Sequence, residues 1–354
     1  MKKIVAINLG STSTKIAYYE DETCVFKDNI KHEASVIKEF NSIWDQLDYR
    51  TEQIETYLAK KHIKIEDLDA VATRGGHTEP IVGGVYRINE KMLEQSGSEK
   101  YGNHPTDLGL RIANKFAKRG VQAFTVDPPT TDEFEKLARY SGIPSIERRS
   151  SFHVLNHRAV GMQYAKDMGK KYEDLNLVGV HMGGGISVSV HKKGKLVDAN
   201  NALDGDGPFS ANRCCTVPIG ELIKLCYSGE YTYAQMRKLI NGNSGLMGYL
   251  GENDAKIIEE RALAGDEKCK EVMEAMCYQV AKEIGADATV LKGNVDAILF
   301  TGGMAHSKWI VGIISEYVKY IAPIAVYPGE YEMQSLGLNT LAALNGETEI
   351  KELK

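Results

Sequence analysis

Two stretches of the chain share one layout, and this repeat constrains the fold more than any other sequence feature. Residues 4–30 and residues 175–199 each run as a strand, a small-polar or glycine-rich turn, a strand, a charged turn and a third strand. Chance similarity of two hairpins is the alternative explanation. The turn falls at the same position in both copies, which favours an internal duplication. The sequence therefore predicts an α/β protein with two domains of one topology.

The first turn is rich in groups that can bind an anion. It follows the apolar run Ile4–Ile7 and reads Asn8-Leu9-Gly10-Ser11-Thr12-Ser13-Thr14-Lys15. Glycine lets the backbone approach a ligand closely, and the hydroxyls and exposed N–H groups can face a phosphate. An ordinary hairpin turn is the alternative, and it would be favoured for Gly-Ser-Thr alone. The density of donors favours a phosphate-binding loop.

Composition limits the class of protein and its partners. The length of 354 residues suggests two or three domains, and 43% apolar with 26% charged residues is typical of globular proteins. The formal charge of −5 argues against nucleic acid or an anionic membrane as the main partner. No apolar stretch approaches the roughly 20 residues that span a bilayer. With no signal-peptide pattern and no Cys-x-x-Cys pair among six cysteines, we expect a reduced, cytoplasmic protein without a zinc site.

Polar clusters follow several predicted strands. They comprise Asn8–Lys15, Arg74, Asp127, His181–Gly185 and Thr301–Gly303. In open α/β sheets, ligands bind just beyond the carboxyl ends of the strands. Neither G-x-G-x-x-G nor the Walker A pattern occurs, so the sequence excludes the Rossmann and P-loop signatures.

Each single residue also has a structural explanation. Arg74 stands between a buried strand and two glycines, where it could bind a ligand or lie on the surface. Asp127 could satisfy loop amides, and His153 could be a core histidine bonded to backbone. Glu332 could be a first-turn carboxylate favoured by the helix dipole. Arg213 carries no signal of its own.

Helices are predicted from apolar periodicity and capping residues. We expect an amphipathic helix over residues 105–119, a helix capped at Thr51, a short helix over residues 132–139 and a long one over residues 266–291. The apolar stripe of the long helix is predicted to be core rather than a binding groove. The domains are placed at residues 1–155 and 156–331, with residues 332–354 packing back onto the first.

Combined, the motifs resemble those of the acetate kinase family in the actin, Hsp70 and sugar-kinase superfamily. Asn8–Lys15 resembles the family's first phosphate motif, His181–Ser187 its second and Phe300–Ala305 its adenosine motif. Four further segments are more similar to the butyrate kinases within this family: Ala72–Gly76, Val126–Pro128, Ser151–His153 and Gly205–Ser210. The resemblance spans essentially the whole chain. It implies two duplicated ribonuclease H-like (actin-like ATPase) domains with an ATP cleft between them.

The resemblance also implies a reaction. ATP, bound with Mg²⁺, would donate its γ-phosphoryl group reversibly to a short-chain fatty acid, butyrate above all, giving an acyl phosphate and ADP. Arg74 and Arg213 would hold the carboxylate and neutralise the moving phosphoryl oxygens, as planar cationic forks can. His153 would stabilise the transferring group, and Asp127 would orient the acceptor or position Mg²⁺ through water. Catalysis would be mainly positioning and charge stabilisation.

The remaining site residues are assigned by the same resemblance. Asn8 and Glu332 would be associated with the metal. The nucleotide would be bound by Asn8, Gly10, Ser11, Thr12, Ser13, Lys15, His181, Gly183, Gly184, Gly185, Thr301, Gly302 and Gly303.

Two positions depart from the family pattern. Leu9 stands where Pro or Ala is usual, and Cys214-Cys215 follows Arg213 where a small residue and Gly are usual.

Alternative functions remain open at this point. The alternative enzymes are kinases for isobutyrate, propionate, acetate or a sugar alcohol. The alternative from another class is an ATP-binding scaffold or chaperone of the actin–Hsp70 type. Dimers are usual in the family, so we expect a homodimer or a larger homo-oligomer.

Overall fold

The computed structural model describes all 354 residues, and the chain divides into two compact units. Unit 1 comprises residues 1–132 and 331–354, and unit 2 comprises residues 133–330. The sequence interpretation divides the chain after residue 155. Residues 133–155 belong to unit 2 in the structure, where the Glu135 N–H donates to the Val197 carbonyl and Arg148 bonds to Asp198.

The chain forms twelve strands and twelve α-helices. The strands are β1 (Lys3–Leu9), β2 (Ser13–Glu20), β3 (Thr23–Lys31), β4 (Ala70–Thr73), β5 (Val85–Arg87), β6 (Gln122–Val126), β7 (Asn176–Met182), β8 (Ile186–Lys192), β9 (Lys195–Ala199), β10 (Ala297–Gly302), β11 (Ile324–Pro328) and β12 (Ile350–Lys351). The helices are α1 (Ala34–Ile37), α2 (Leu47–Lys60), α3 (Glu90–Gly97), α4 (Leu108–Ala117), α5 (Val154–Asp167), α6 (Ile219–Cys226), α7 (Tyr233–Ile240), α8 (Gly245–Leu250), α9 (Ala255–Leu263), α10 (Glu267–Val290), α11 (Lys308–Val318) and α12 (Glu332–Leu344). None of these helices has the length and apolar character needed to cross a bilayer.

The sheet of unit 1 has seven strands in the order β12-β5-β6-β4-β1-β2-β3. Its centre is the parallel set β1, β4 and β6, in which Ile7 pairs with Thr73 and Thr73 pairs with Thr125. These three strands therefore end at one edge of the sheet. Helix α12, from the end of the chain, packs against β1, β2, β4 and β6. Their residues are apolar and buried because helices cover a parallel sheet.

The sheet of unit 2 has five strands in the order β11-β10-β7-β8-β9, with β7, β10 and β11 parallel. Its antiparallel set β7-β8-β9 repeats the β1-β2-β3 set of unit 1. The pairing of the second strand with the third has a register shift in both sets, between Tyr18 and Tyr19 in β2 and between Val190 and His191 in β8. The predicted duplication of an α/β topology is therefore confirmed.

Apolar stripes on the helices form the core of each unit. In α4, Leu108, Ile112 and Phe116 are fully buried. In α10, Val272, Met276, Val280, Ile284 and Ala288 all lie within the unit 2 core or are buried beside it. This stripe is core, as the sequence predicted.

Two helix predictions are wrong in detail. Helix α2 begins at Leu47, so Thr51 is inside it, where its hydroxyl donates to the Leu47 carbonyl at 2.6 Å instead of capping the helix. Residues 132–139 form only a 3₁₀ turn, Lys136–Arg139, because the Glu135 N–H bonds to Val197 instead of to a helical carbonyl. Strands β5 and β12 are not predicted from the sequence, since strands of three and two residues are too short to show alternation.

Candidate functional site

The strand ends of unit 1 bring three of the predicted site residues to one edge. Asn8 lies near the end of β1, Arg74 directly follows β4, and Asp127 directly follows β6. The register of these parallel strands places the three positions side by side. Their proximity follows from the sheet rather than from any nearness in sequence.

Glu332, the first residue of α12, joins Asn8 and Arg74. The Asn8 side-chain amide donates to Glu332 Oε2 at 2.6 Å, and Arg74 Nη1 lies 3.2 Å from Oε1. Asn8 and Glu332 are buried, whereas the Arg74 side chain is 29% exposed and can reach a ligand. The helix N-terminus also favours a negative charge at this place.

Asp127 is held in an unusual conformation. Its φ of 41° lies in the left-handed region, which costs a residue with a Cβ roughly 1–2 kcal/mol. Two hydrogen bonds to Gly84 hold it there: the Asp127 N–H donates to the Gly84 carbonyl at 3.0 Å, and Oδ1 accepts from the Gly84 N–H at 2.8 Å. Strain that neighbouring contacts maintain in this way is common at functional sites.

Arg50 of α2 supports the polar turn from inside unit 1. It is fully buried, and its guanidinium donates to the carbonyls of Gly10 and Ser11, both at 2.9 Å, and to Gln46 Oε1 at 2.9 Å. Burial lowers the pKa of Arg50 to about 10. The role of Arg50 is not predicted from the sequence, although Arg50 lies on the same buried stripe as Ile54 and Leu58, at a spacing of four residues.

The contact with Arg50 also decides where the turn points its N–H groups. In a trans peptide the C=O and the N–H of one unit point in opposite directions. Because the Gly10 and Ser11 carbonyls point inward to Arg50, the N–H groups of Ser11 and Thr12 point outward, at exposed positions. Outward N–H groups on a turn are the donors that anion-binding concavities use.

In unit 2, the ends of β7 and β10 lie side by side, with His181 paired to Thr301. Asn156 of α5 joins them, because its amide donates to His181 Nδ1 at 2.9 Å and to Thr301 Oγ1 at 3.1 Å. The Gly183–Gly185 turn follows β7 and is closed by a 3.0 Å bond from the Gly183 N–H to the Gly185 carbonyl. Gly302 and Gly303 follow at the end of β10.

Arg213 lies over the glycine turn of unit 2. Its Nη1 donates to the Ala202 carbonyl, and a Cβ on Gly185 would lie only 2.1 Å from that Nη1. Burial lowers the pKa of Arg213, and its Nε is buried without a hydrogen-bond partner. An anion is the natural partner for this donor. Cys215 adopts a φ of 50°, the left-handed conformation that the glycine usual in the family would adopt without strain.

His153 precedes α5 and is stacked on His181, with ring centroids 3.9 Å apart. Its Nδ1 lies 2.9 Å from the hydroxyl of Ser187. Thus the alternative in which this histidine bonds only to backbone is wrong. Sequence reasoning did not identify Ser187 as its partner.

No group of three or more His, Cys, Asp or Glu side chains is arranged to hold a metal ion. Asn8 and Glu332, which the family resemblance associates with the metal, are joined by a hydrogen bond from the Asn8 amide to the Glu332 carboxylate. One carboxylate is a suitable donor set for Mg²⁺, which usually keeps several waters and binds to substrate phosphates.

Comparison with known proteins gives a consistent result. A sequence model of the acetokinase family matches residues 139–319. Butyrate kinase 1 of Clostridium acetobutylicum is 48% identical over 355 residues and covers 100% of both chains. Butyrate kinase 2 of the same organism is 46% identical over 353 residues and covers 99% of each.

Solved structures show the same fold. A crystal structure of Porphyromonas gingivalis acetate kinase superposes with a TM-score of 0.80 at 19% identity, covering 97% of this chain and 100% of the other.

Replacing Arg50 by lysine tests its support of the turn. Lysine keeps the positive charge but lacks the forked guanidinium that donates to Gly10, Ser11 and Gln46. We therefore expect the free energy of unfolding to fall by about 2–3 kcal/mol. Amide exchange should become faster at Gly10 and His32, whose N–H groups donate to Ser13 and Thr12. Hydrogen exchange with mass spectrometry measures both effects.

The matched control is Arg119→Lys. Arg119 belongs to the same unit but forms exposed pairs with Glu55 and Glu66, which contribute less than about 1 kcal/mol. Equal effects of the two substitutions on the turn would contradict the role of Arg50.

Two buried histidines of unit 2 make stability depend on pH. Burial lowers the pKa of His191 to about 3 and that of His157 well below its usual range. The unfolded chain binds protons near pH 6.5 and the folded chain does not, so stability is present above that pH and is lost as the pH falls. At pH 5 His191 should remove about 2 kcal/mol, and His157 should add to this loss. Urea unfolding at pH 7 and pH 5 measures the difference.

His191→Gln should reduce this pH dependence, because the variant loses one titrating group. His62→Gln is the control, since His62 is exposed and its replacement should leave the difference unchanged. A wild-type protein that is equally stable at pH 7 and pH 5 would contradict the prediction that the two buried histidines make stability depend on pH.

Proposed function

The chain belongs to the acetokinase family, and from this membership we propose that it is an ATP-dependent butyrate kinase. The enzyme transfers the γ-phosphoryl group of ATP to butyrate, giving butanoyl phosphate and ADP, and the reaction is reversible. The observation that carries the proposal is the cluster at the unit 1 sheet edge, where an arginine, a strained aspartate and an anion-binding turn follow neighbouring strands. Full-length identity to butyrate kinases supports the choice of acid.

The chemistry needs positioning more than covalent help. The bond from the γ-phosphorus to the bridging oxygen of ADP breaks as a bond to the carboxylate oxygen forms, through a loose transition state whose charge is spread over the equatorial oxygens. Arg74 and Arg213 are suited to this charge, because a guanidinium is always cationic and can donate two parallel hydrogen bonds. The Arg74 side chain is 29% exposed and Arg213 is half-buried, so each guanidinium can be reached by an anion.

The outward N–H groups of Ser11 and Thr12, with Ser13 and Lys15, bind phosphate oxygens. Glu332 and Asn8 are the residues that would hold Mg²⁺, which would supply neutralisation of the phosphate charge. Asp127 would orient the acceptor carboxylate or position Mg²⁺ through water. The glycine turn after His181 and the Thr301–Gly303 segment bind the nucleotide, because glycines leave room for phosphates and a nucleoside.

His153 donates a hydrogen bond to the transferring phosphoryl group. Hydrogen-bond donors that are already oriented toward developing charge are among the largest contributions to catalysis. The homodimer or larger homo-oligomer expected from the family stays a prediction.

Trapping the product with hydroxylamine tests the reaction. The protein should form hydroxamate with ATP, Mg²⁺ and straight-chain acids of two to six carbons, with the highest kcat/KM near four carbons. One methylene too many or too few should change kcat/KM by roughly 10- to 200-fold. Reactions without acid and without ATP are the controls. Absence of product with every acid would exclude a carboxylate kinase and favour an ATP-binding scaffold.

Arg74→Ala separates transfer from nucleotide binding. Losing one fixed donor to the transition state should lower kcat by about 10²- to 10³-fold, whereas the dissociation constant for ATP measured by calorimetry should stay within about threefold. Arg119→Ala, an exposed arginine of the same unit, should change neither value. A parallel loss of ATP affinity and kcat would show that Arg74 serves the nucleotide.

A further inference from the structure

A continuous chain of side-chain hydrogen bonds leads from His153 into the interior of unit 2. We call it the histidine chain, and it consists of Tyr172, His191, Ser189, His157, Ser187 and His153. The five links are Tyr172 Oη to His191 Nδ1 at 2.9 Å, His191 Nε2 to Ser189 Oγ at 3.1 Å, Ser189 Oγ to His157 Nδ1 at 2.8 Å, His157 Nε2 to Ser187 Oγ at 2.8 Å, and Ser187 Oγ to His153 Nδ1 at 2.9 Å.

The inner part of the chain has no access to water. Ser187, Ser189 and His191 are fully buried, and His157 is 1% exposed. Burial keeps the pKa of both imidazoles well below neutrality, so both rings are uncharged. A neutral imidazole has one N–H donor and one acceptor nitrogen, and a hydroxyl has one proton to donate. A serine that accepted from both of its neighbouring rings would leave its own proton buried without an acceptor. Every link therefore runs in the same direction along the chain.

The phenol at the inner end favours one of the two directions. A tyrosine hydroxyl is a stronger proton donor than an imidazole N–H, and an imidazole nitrogen is a stronger base than a phenol oxygen. Tyr172 therefore donates to His191 Nδ1, which places the His191 proton on Nε2. Followed outward, the same rule makes each serine accept from the inner ring and donate to the next one. The last link is a hydrogen bond donated by Ser187 to His153 Nδ1.

We propose that Tyr172, Ser189 and Ser187 are positioning residues that fix His153 in the tautomer with its proton on Nε2. Nδ1 of His153 accepts a hydrogen bond, so the ring presents an N–H at its other nitrogen. The tautomer itself follows from the histidine chain. Only the use of that N–H as a donor to the transferring phosphoryl group rests on the proposed function.

The stacked neighbour of His153 is fixed in the same way. The Asn156 amide donates to His181 Nδ1, so His181 also carries its proton on Nε2. Both rings of the 3.9 Å stack therefore have the same tautomer.

Two glycines provide the space that the histidine chain occupies. A Cβ on Gly179 of β7 would lie 2.5 Å from His157 Nδ1 and 2.7 Å from His191 Nε2. A Cβ on Gly161 of α5 would lie 2.7 Å from the Tyr172 ring and 2.9 Å from His191 Nδ1. Any larger residue at either position would displace the rings, so the backbone on both sides is built around the chain.

The tautomer can be measured directly in the full-length, ligand-free protein. With ¹⁵N-labelled histidine, long-range ¹H–¹⁵N spectra distinguish a protonated nitrogen from an unprotonated one, and the His153 signals are identified by their loss in His153→Gln. We expect a protonated Nε2 and an unprotonated Nδ1. A proton on Nδ1 of His153 in the wild-type protein would overturn the proposal.

Tyr172→Phe and Ser189→Ala cut the histidine chain at sites remote from His153. Each should shift the His153 signals toward the other tautomer and lower kcat by about tenfold, because the productive tautomer becomes a minor species. KM for ATP should stay within about twofold. The double variant should lose no more than the more affected single variant, since both act through one chain.

Tyr164→Phe is the control, because it removes a phenol hydroxyl from the same unit but not from the chain. Unchanged His153 signals in both Tyr172→Phe and Ser189→Ala would contradict the proposal, and two variants guard against the failure of one to fold. The spectra need no substrate. An absence of hydroxamate with the expected spectra would therefore refute the function and leave the tautomer assignment standing.

Discussion

The parallel register of the central strands is the constraint on which both sites depend. Parallel strands all end at the same edge, so residues far apart in sequence meet there without a local motif. In unit 1 the ladder through Ile7, Thr73 and Thr125 places Asn8, Arg74 and Asp127 together. In unit 2 the pairing of His181 with Thr301 does the same for the two glycine-rich turns. Any shift of register would separate these groups, and it would also turn buried strand residues to the other face of the sheet.

Buried polar groups then set the directions of the groups at that edge. Arg50 is a fully buried cation whose partners are carbonyls and one amide oxygen rather than a carboxylate, so its donors orient the turn. The histidine chain uses neutral groups for a similar purpose, because a buried imidazole loses its charge but keeps one donor and one acceptor. An unsatisfied polar group in either place would cost about 1–3 kcal/mol, and this cost makes the arrangements specific.

The sequence predicted what depends on local pattern. The duplicated layout, the core stripe of α10 and the polar residues at strand ends are all visible as apolar runs followed by polar or glycine-rich turns. The roles of Arg50 and Tyr172, and the pairing of Ser187 with His153, are not predictable from local pattern, because they depend on contacts across the fold that have no fixed spacing. The start of α2 was missed for a related reason: Thr51 is a good capping residue, but its hydroxyl bonds to a carbonyl within the helix.

The duplication extends to the way each turn is supported. In unit 1 the turn after β1 is rich in hydroxyls, and in unit 2 the turn after β7 is rich in glycines. In both, a side chain from elsewhere in the same unit donates to a carbonyl of the turn: Arg50 to Gly10 in unit 1, and the Ser210 hydroxyl to Gly184 at 2.8 Å in unit 2. The two copies therefore differ in sequence at the turn and share a side-chain donor that fixes a carbonyl of the turn.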